Sequence, residues 1–411
     1  MLEVIIVGGG ASGLLCGIES VKRGKQCLII EQKEKVGKKL YATGNGKCNF
    51  ANRVVEKSCY HTVSSEDANR IGSFVNDQLC KEIEQYFLEL GIPVYERQGY
   101  LYPRSEQAAI VVRALEDAFT AKGGKIHCDE SVQYVKANSD GTFCVGTDKS
   151  IYETKQVVLA TGGAASPKLG SDGRGYSFAK SLGHTVTPCV PSLCGVKCKA
   201  AGWNRLQGVR AKGRVEAWIG NKKLAEDVGE IQFTQYGISG IVVFNLSRYA
   251  ALGLLENKKV VFRLDLLPDY SENELVSLLQ NMQKTCGYQS ICHVLSGFLP
   301  DKLAVYLLKD SRIVNDINDS LSIKALSISQ LQQIASACKG LSLKITETNS
   351  FEQAQVTAGG VPLKEINPDT MESKKVPGCY LVGELLDVDG ICGGYNLMWA
   401  WETGRRAGQN L

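Results

Sequence analysis

Glycines at positions 8, 10 and 13, followed by an acid at position 31, have the types and spacing to hold a dinucleotide. Gly8 allows a tight turn, Gly10 lets backbone N–H groups approach a pyrophosphate, and Gly13 lets a helix pack close to the strand before it. Ala11 and Ser12 lie inside the same turn. The helix start supplies partial positive charge, and the Glu31 carboxylate can accept hydrogen bonds from ribose hydroxyls. Gln32, beside the acid, joins the set. Two more strand ends carry glycine, Ala160-Thr161-Gly162-Gly163 and Gly383-Glu384. A single NAD site needs only the first. Three spread over the chain point to a longer ligand, and FAD fits, with its ADP half on the first turn and its flavin half near the C-terminal segments.

The run Lys35 to Asn52 is a glycine-rich loop of the functional kind. Gly37, Gly44 and Gly46 permit close backbone approach. Lys38, Lys39 and Lys47 bring charge for a phosphate. Thr43, Asn45 and Asn49 offer hydrogen bonds to a flavin edge or ribityl chain. Cys48 reads as a packing residue ahead of a redox thiol. Near the C-terminus, Gly393, Gly394, Tyr395, Asn396 and Leu397 lead into a helix over 397–407. Its N-terminus can set N–H groups and positive dipole against the flavin N1/O2 edge. Trp399 and Trp401 on that helix read as core, and Val132 completes the cofactor set. No catalytic acid or base and no metal site is assigned. Cys194 and Cys198 have no companion ligands, and the histidines at 61, 127, 184 and 293 show no ligand spacing.

The elements that position these residues alternate. Strand Val4–Val7, helix Gly13–Lys22 and strand Cys27–Glu31 come first. Helical periodicity follows over 76–90 and 105–121, then strands over 125–128, 132–137, 142–147 and 156–160. From about Pro191 the texture changes to short β segments (195–264), helices (271–338, with Ser271 or Asn273 as cap) and a returning strand (341–345). The expected fold is therefore α/β, with a discontinuous nucleotide domain at 1–190 and 350–411. The insertion would comprise a β-rich part (191–268 and 339–349) and a helical part (269–338). It is expected to cover the flavin and supply the substrate pocket, with Tyr236 as pocket candidate.

With 411 residues, 44% hydrophobic and 22% charged, the chain reads as globular, and its net charge of +4 is too mild for nucleic acid as main partner. No leader is visible and no apolar run is long enough for a membrane span. Fifteen scattered cysteines, an odd number often inside apolar runs, suit a reducing, cytoplasmic setting. Eight basic residues and one acid lie between Gly195 and Ala225. They read as solvated strand faces, with an anionic substrate such as a coenzyme A thioester as the alternative. Oligomeric state leaves no mark in the sequence.

Lys39-Leu-x-x-Thr-Gly-x-Gly-Lys-Cys-Asn49 resembles the signature loop of the BaiN-like flavoproteins, a family that includes aminoacetone-oxidase-like enzymes. Ser171 to His184 with Pro191-Ser-Leu193, Val356 to Val361 through Thr370-Met-Glu-Ser-Lys374, and Gly383 to Leu397 are similar too. The resemblance implies non-covalent FAD in a glutathione-reductase-type Rossmann fold, with a β-barrel-like domain and a helical domain inserted. Gln235 stands where the family usually has histidine, Ile241 where it has proline, and Met398 where glutamine is common, so no acid or base is carried over. A second Gly-x-Gly-x-x-Gly and a loop cysteine pair are both missing, which excludes a disulfide-reductase design. The expected activity is that of an FAD-dependent oxidoreductase passing a hydride through flavin to an activated C=C bond of a small organic substrate, a steroid or acyl thioester. NAD(P)H would be a transient electron donor. The alternatives are an amine oxidase of aminoacetone-oxidase type and a non-catalytic FAD-binding sensor or docking protein.

Overall fold

A computed structural model describes residues 1–76, 78–314 and 321–411. The chain forms two compact units, Met1–Pro191 with Phe351–Leu411, and Ser192–Ser350. Residue 77, within the helical run expected over 76–90, and residues 315–320, within that over 271–338, lie outside the described residues.

The first unit is built on apolar runs that can be buried on both faces, as a parallel sheet requires. Strands Lys125–His127, Cys27–Ile30, Leu2–Val7, Ile151–Leu159 and Cys379–Leu381 lie side by side in that order, all parallel. The early half of Ile151–Leu159 instead pairs antiparallel with Phe143–Thr147, which continues into Val132–Ala137. Helices Ala11–Lys22, Leu79–Glu89, Ala108–Thr120 and Tyr395–Asn410 complete the layers. The expected loop 36–52 contains a short helix, Lys38–Ala42, and the final helix is longer at both ends than the sequence indicated.

The second unit holds a closed six-stranded barrel, in the order Val196–Cys198, Gly237–Ser239, Lys222–Phe233, Arg210–Ile219, Val260–Asp265 and Leu341–Thr348. Two of its strands, Arg210–Ile219 and Lys222–Phe233, are longer than the short segments expected, and one element differs in kind. Residues 241–255, read as β from the sequence, are a helix, Ile241–Leu255. This helix touches every strand of the barrel, and it is apolar nearly all round, so it lacks the one-sided stripe that marks a surface helix. Helices Glu272–Thr285 and Ile328–Gly340 begin at Ser271 and Ser327, each closing a capping box with Glu274 or Gln330. Barrel and helices share one apolar core, from Val215 and Phe262 to Leu279, Leu303 and Ile334.

In the first unit the final helix lies directly on the first. A Cβ at Gly404 would stand 2.3 Å from the Ser12 carbonyl oxygen, and one at Gly408 2.4 Å from that of Cys16. Gly404→Leu is expected to cost about 3 kcal/mol through overpacking and to lower the melting temperature followed by near-UV circular dichroism. An unchanged melt would contradict this packing.

Candidate functional site

The site begins with register. Val7 pairs with Ile30 and with Leu159, and Leu159 pairs with Leu381, so four parallel strands end at one level. The three glycine-bearing strand ends singled out in the sequence leave the sheet there, at the carboxyl edge where open α/β sheets bind ligands. The Gly8 N–H donates to the Ile30 carbonyl (2.8 Å) and the Ala160 N–H to that of Val7 (2.9 Å), so the turns begin already tied together. Gly8 has φ +105°, and a Cβ there would lie 2.5 Å from the Ala160 oxygen. At Gly13 a Cβ would lie 2.0 Å from the Gly8 oxygen, which accounts for helix-to-strand closeness. At Gly10 it would meet nothing within 4 Å. The helix after Gly10 has no side-chain cap and no acid in its first turn, leaving its positive end free for an anion. The helix after Gly394 starts the same way.

Glu31 is buried at the edge of this turn. Its Oε2 accepts from the Gly9 N–H (2.8 Å) and its Oε1 from the Lys33 N–H (2.9 Å). Burial pushes its pKa up, against the pull of those amides. Each oxygen keeps a lone pair for a ribose hydroxyl. The Glu130 N–H donates to the Glu31 carbonyl (3.1 Å), which brings Val132 to this neighbourhood. Gln32 donates to the Gly170 carbonyl (2.6 Å) and accepts from Arg174.

Two of the strand ends are also joined to the glycine-rich loop through side chains. Lys39 Nζ meets Glu384 Oε2 at 2.8 Å, and Glu384 Oε1 accepts from the Thr357 N–H at 2.9 Å. Thr357 Oγ1 accepts in turn from Ala164 (2.8 Å) and Ala165 (3.1 Å), directly after Thr161-Gly162-Gly163. Lys38, Lys39 and Lys47, expected near a phosphate, each meet a carboxylate in the structure. Lys38 faces Glu34 (2.8 Å) and Lys47 faces Glu106 (2.7 Å), so all three ammonium groups are already answered by carboxylates. Thr43 donates to the Leu40 carbonyl (2.6 Å), and the Asn49 amide donates to Leu101 (3.1 Å) and Ala51 (2.9 Å), so both side chains brace their own loop. Gly44 and Asn45 adopt left-handed backbone, φ 55° and 54°. Cys48 is fully buried, and burial pushes its thiol up to about 12, which suits packing and not thiolate chemistry.

At the C-terminal end, Asn396 binds both sides of Gly390, accepting from its N–H and donating to its carbonyl, each at 2.8 Å. Tyr395 stands edge-on to Tyr60, and the Tyr60 hydroxyl donates to the Tyr395 carbonyl (3.2 Å). Trp399 donates to the Gly383 carbonyl (3.0 Å) and Trp401 to that of Phe50 (3.1 Å), and both indoles are buried. Two residues that drew no notice in the sequence support this end. Asn52 donates to the Gly393 carbonyl (3.0 Å), and Asp387 accepts from Val63 and Ser64 (2.9 Å each). In the second unit, the half-exposed Tyr236 hydroxyl accepts from Asn349 Nδ2 at 3.1 Å. Among the described residues no group of three His, Cys, Asp or Glu side chains is placed to hold a metal.

A buried relay, also unseen in the sequence, connects two of the resembling motifs. His184 Nδ1 meets Glu365 Oε2 at 2.7 Å and His184 Nε2 meets Ser373 Oγ at 2.9 Å. Lys375 Nζ and Thr185 Oγ1 complete the Glu365 carboxylate at 2.8 and 2.6 Å.

An α/β sheet with an open glycine turn, a buried acid after the second strand and an uncapped helix start at one level is the FAD-type Rossmann design of an oxidoreductase, and the donors and open space around Gly10 fit that cofactor. The chain matches the family described as HI0933-like protein Rossmann domain over residues 2–410 and belongs to it. It is 42% identical over 411 residues, covering 100% of this chain and 98% of the relative, to a 3-dehydro-bile acid Δ(4,6)-reductase of Clostridium scindens. It is 28% identical over 414 residues to the ribosomal RNA dihydrouridine synthase of Escherichia coli K12, covering 100% and 98%. The fold is shared with a 3-ketosteroid-Δ4-(5α)-dehydrogenase from Rhodococcus jostii RHA1, at TM-score 0.50 and 13% identity over 100% of this chain and 96% of that one. The resemblance to BaiN-like FAD-dependent oxidoreductases therefore holds over the whole chain.

Two outcomes follow from the site. Glu31→Gln removes the charge that strengthens the ribose contact and is expected to raise the Kd for FAD about tenfold, measured by flavin fluorescence; an unchanged Kd would contradict the assignment. The relay makes stability depend on pH. Burial holds the His184 pKa below its ordinary value, and Glu365 sits at about 2 because its hydrogen bonds from Lys375, Thr185 and His184 outweigh burial, which pushes it up. In each case the unfolded chain binds more protons, so stability falls as pH drops below about 6.5 for the histidine and about 4.3 for the acid. The urea midpoint should fall from pH 7 to pH 5, and less steeply in His184→Gln. Parallel curves would show that the histidine does not contribute.

Proposed function

We propose that the protein passes a hydride through non-covalently bound FAD to a C=C bond conjugated to a carbonyl, in a small organic substrate of the steroid enone or acyl thioester class. The observation that carries this reading is the end-to-end 42% identity with a bile-acid Δ(4,6)-reductase. The more distant relative supports the same bond chemistry, because making dihydrouridine also saturates a C=C conjugated to a carbonyl.

The barrel favours a small substrate over RNA. An RNA-binding face leaves its basic residues available to phosphates. Here Lys197 is held by Glu347 (2.7 Å), Arg210 by Glu230 (3.0 Å), and Lys223 by Glu216 and Glu226 (3.2 and 3.1 Å). Carboxylates thus answer three of the eight basic residues between 195 and 225.

Bound FAD would supply a centre that accepts a hydride and releases it to the substrate. The chain's part is to hold that centre. Glu31 would hold the ribose, the helix start at Gly10–Ser12 would hold the pyrophosphate, and the uncapped start of Tyr395–Asn410 would favour negative charge near it. Lys39, Glu384 and Thr357 keep the loop and the strand ends in one arrangement. NADH or NADPH docks transiently as donor, since the chain carries a single glycine fingerprint. All fifteen cysteines are free thiols, in keeping with a reducing cytoplasm. No helix among the described residues is long and apolar enough to cross a membrane.

The test is anaerobic. NADH or NADPH should bleach the flavin, and a conjugated steroid enone or enoyl thioester should restore its colour. Bleaching by a small amine with recovery in air would replace this reading with the oxidase. No bleaching by any donor would leave the sensor or docking class.

A further inference from the structure

The second glycine turn of the first unit runs on from Thr161 to Gly173, between strand Ile151–Leu159 and helix Arg174–Ser181. Four of its residues take left-handed backbone: Gly162 (φ 69°), Ser166 (62°), Gly170 (109°) and Gly173 (81°). These reversals fold the segment back on itself. The Gly173 N–H donates to the Gly163 carbonyl (3.0 Å), and a Cβ at Gly162 would lie 2.6 Å from Ser171 Oγ. The returning leg passes beside the second strand's end. A Cβ at Gly170 would stand 3.8 Å from Glu31 Oε1 and 3.6 Å from Lys33 Cγ. Glu31, the carboxylate assigned to the ribose, is thus edged by this segment.

One side chain holds that edge in place. Arg174 opens the helix after the turn, and its guanidinium reaches three segments. It donates to Gln32 Oε1, to Ser131 Oγ (2.6 Å) and to Asp172 Oδ2 (2.8 Å). The Arg174 backbone N–H takes the other Asp172 oxygen at 3.1 Å. Gln32 carries the hold further by donating to the Gly170 carbonyl at 2.6 Å. The three segments so joined are the ones next to Glu31: Gln32 follows it in the chain, Gly170 lies beside its carboxylate, and Ser131 follows Glu130, whose N–H donates to the Glu31 carbonyl. A half-exposed arginine facing Asp172 adds little stability through charge alone. What the planar fork adds is geometry, because its donors are fixed relative to one another. Resting on the FAD site described above, we propose that Arg174 is a positioning residue for the adenosine end of the cofactor. It holds Gly170 and Gln32 beside the ribose acid, so that bound FAD leaves slowly.

The experiment dilutes FAD-loaded protein to nanomolar concentration and follows flavin release by fluorescence. Arg174→Met should release FAD about tenfold faster than the wild type. The visible spectrum of its bound flavin should stay unchanged, because the flavin end is not touched. Arg174→Lys should release FAD almost as fast as Arg174→Met, since one ammonium cannot bridge Gln32 and Ser131 as a fork does. Gln32→Leu cuts the same series of contacts, so combining it with Arg174→Met should release FAD no faster than the faster single variant. Wild-type release in Arg174→Met, full rescue by lysine, effects that multiply in the double variant, or a shifted flavin spectrum alongside faster release would each overturn the proposal. Each of these leaves the flavoprotein reading intact, whereas a wild-type protein that takes up no FAD overturns both.

Discussion

The structure of the first unit depends on one constraint, the in-register ending of four parallel strands. Val7, Ile30, Leu159 and Leu381 finish at a common level because their ladders are unbroken up to that point. Slipping any one strand by a single residue would exchange the side chains on its two buried faces and spoil the packing on both. It would also move a glycine turn or Glu31 out of the row. The apolar runs that make the sheet therefore also aim the site, and the chemistry needs no separate scaffold. What the side chains add is a lock across the row, running from Lys39 through Glu384 and Thr357 to the Ala164 and Ala165 amides.

Charge is distributed unevenly in a way that suits this division of labour. At the candidate cofactor site, the helices starting at Ala11 and Tyr395 are left without a side-chain cap or first-turn acid. In the second unit, the helices after Ser271 and Ser327 carry full capping boxes. An uncapped helix start is a small loss of stability for the free protein and a gain when an anion arrives. In the barrel, three of the eight basic residues of the stretch that stood out in the sequence, Lys197, Arg210 and Lys223, meet carboxylates.

Local patterns were legible and long-range partners were not. Gly8 to Gly13 and Glu31 announced a strand, turn and helix because each residue type answers a local steric or electrostatic demand. Ser271 announced its helix for the same reason, with Glu274 three residues on. The helix Ile241–Leu255 was missed because its residues are apolar nearly all round, so its sequence carries no helical stripe. Lys47 and Glu106, or His184 with Glu365 and Ser373, are far apart in the chain, and nothing local marks them as partners. Lys38 is a different case: its partner Glu34 is only four residues away in the chain, in the bend just before the helix Lys38–Ala42. Asn52 and Asp387 look like ordinary loop residues, and only the folded chain shows that they hold the segments around Gly393 and Val63 in place.

The central claim is that the aligned glycine turns form one FAD site per chain, held without a covalent bond. Purified protein should show the two-banded visible spectrum of an oxidised flavin, and denaturing it should release FAD into the supernatant in a one-to-one ratio with protein. A colourless protein that takes up no added FAD would contradict the claim, as would flavin that stays on the chain after denaturation.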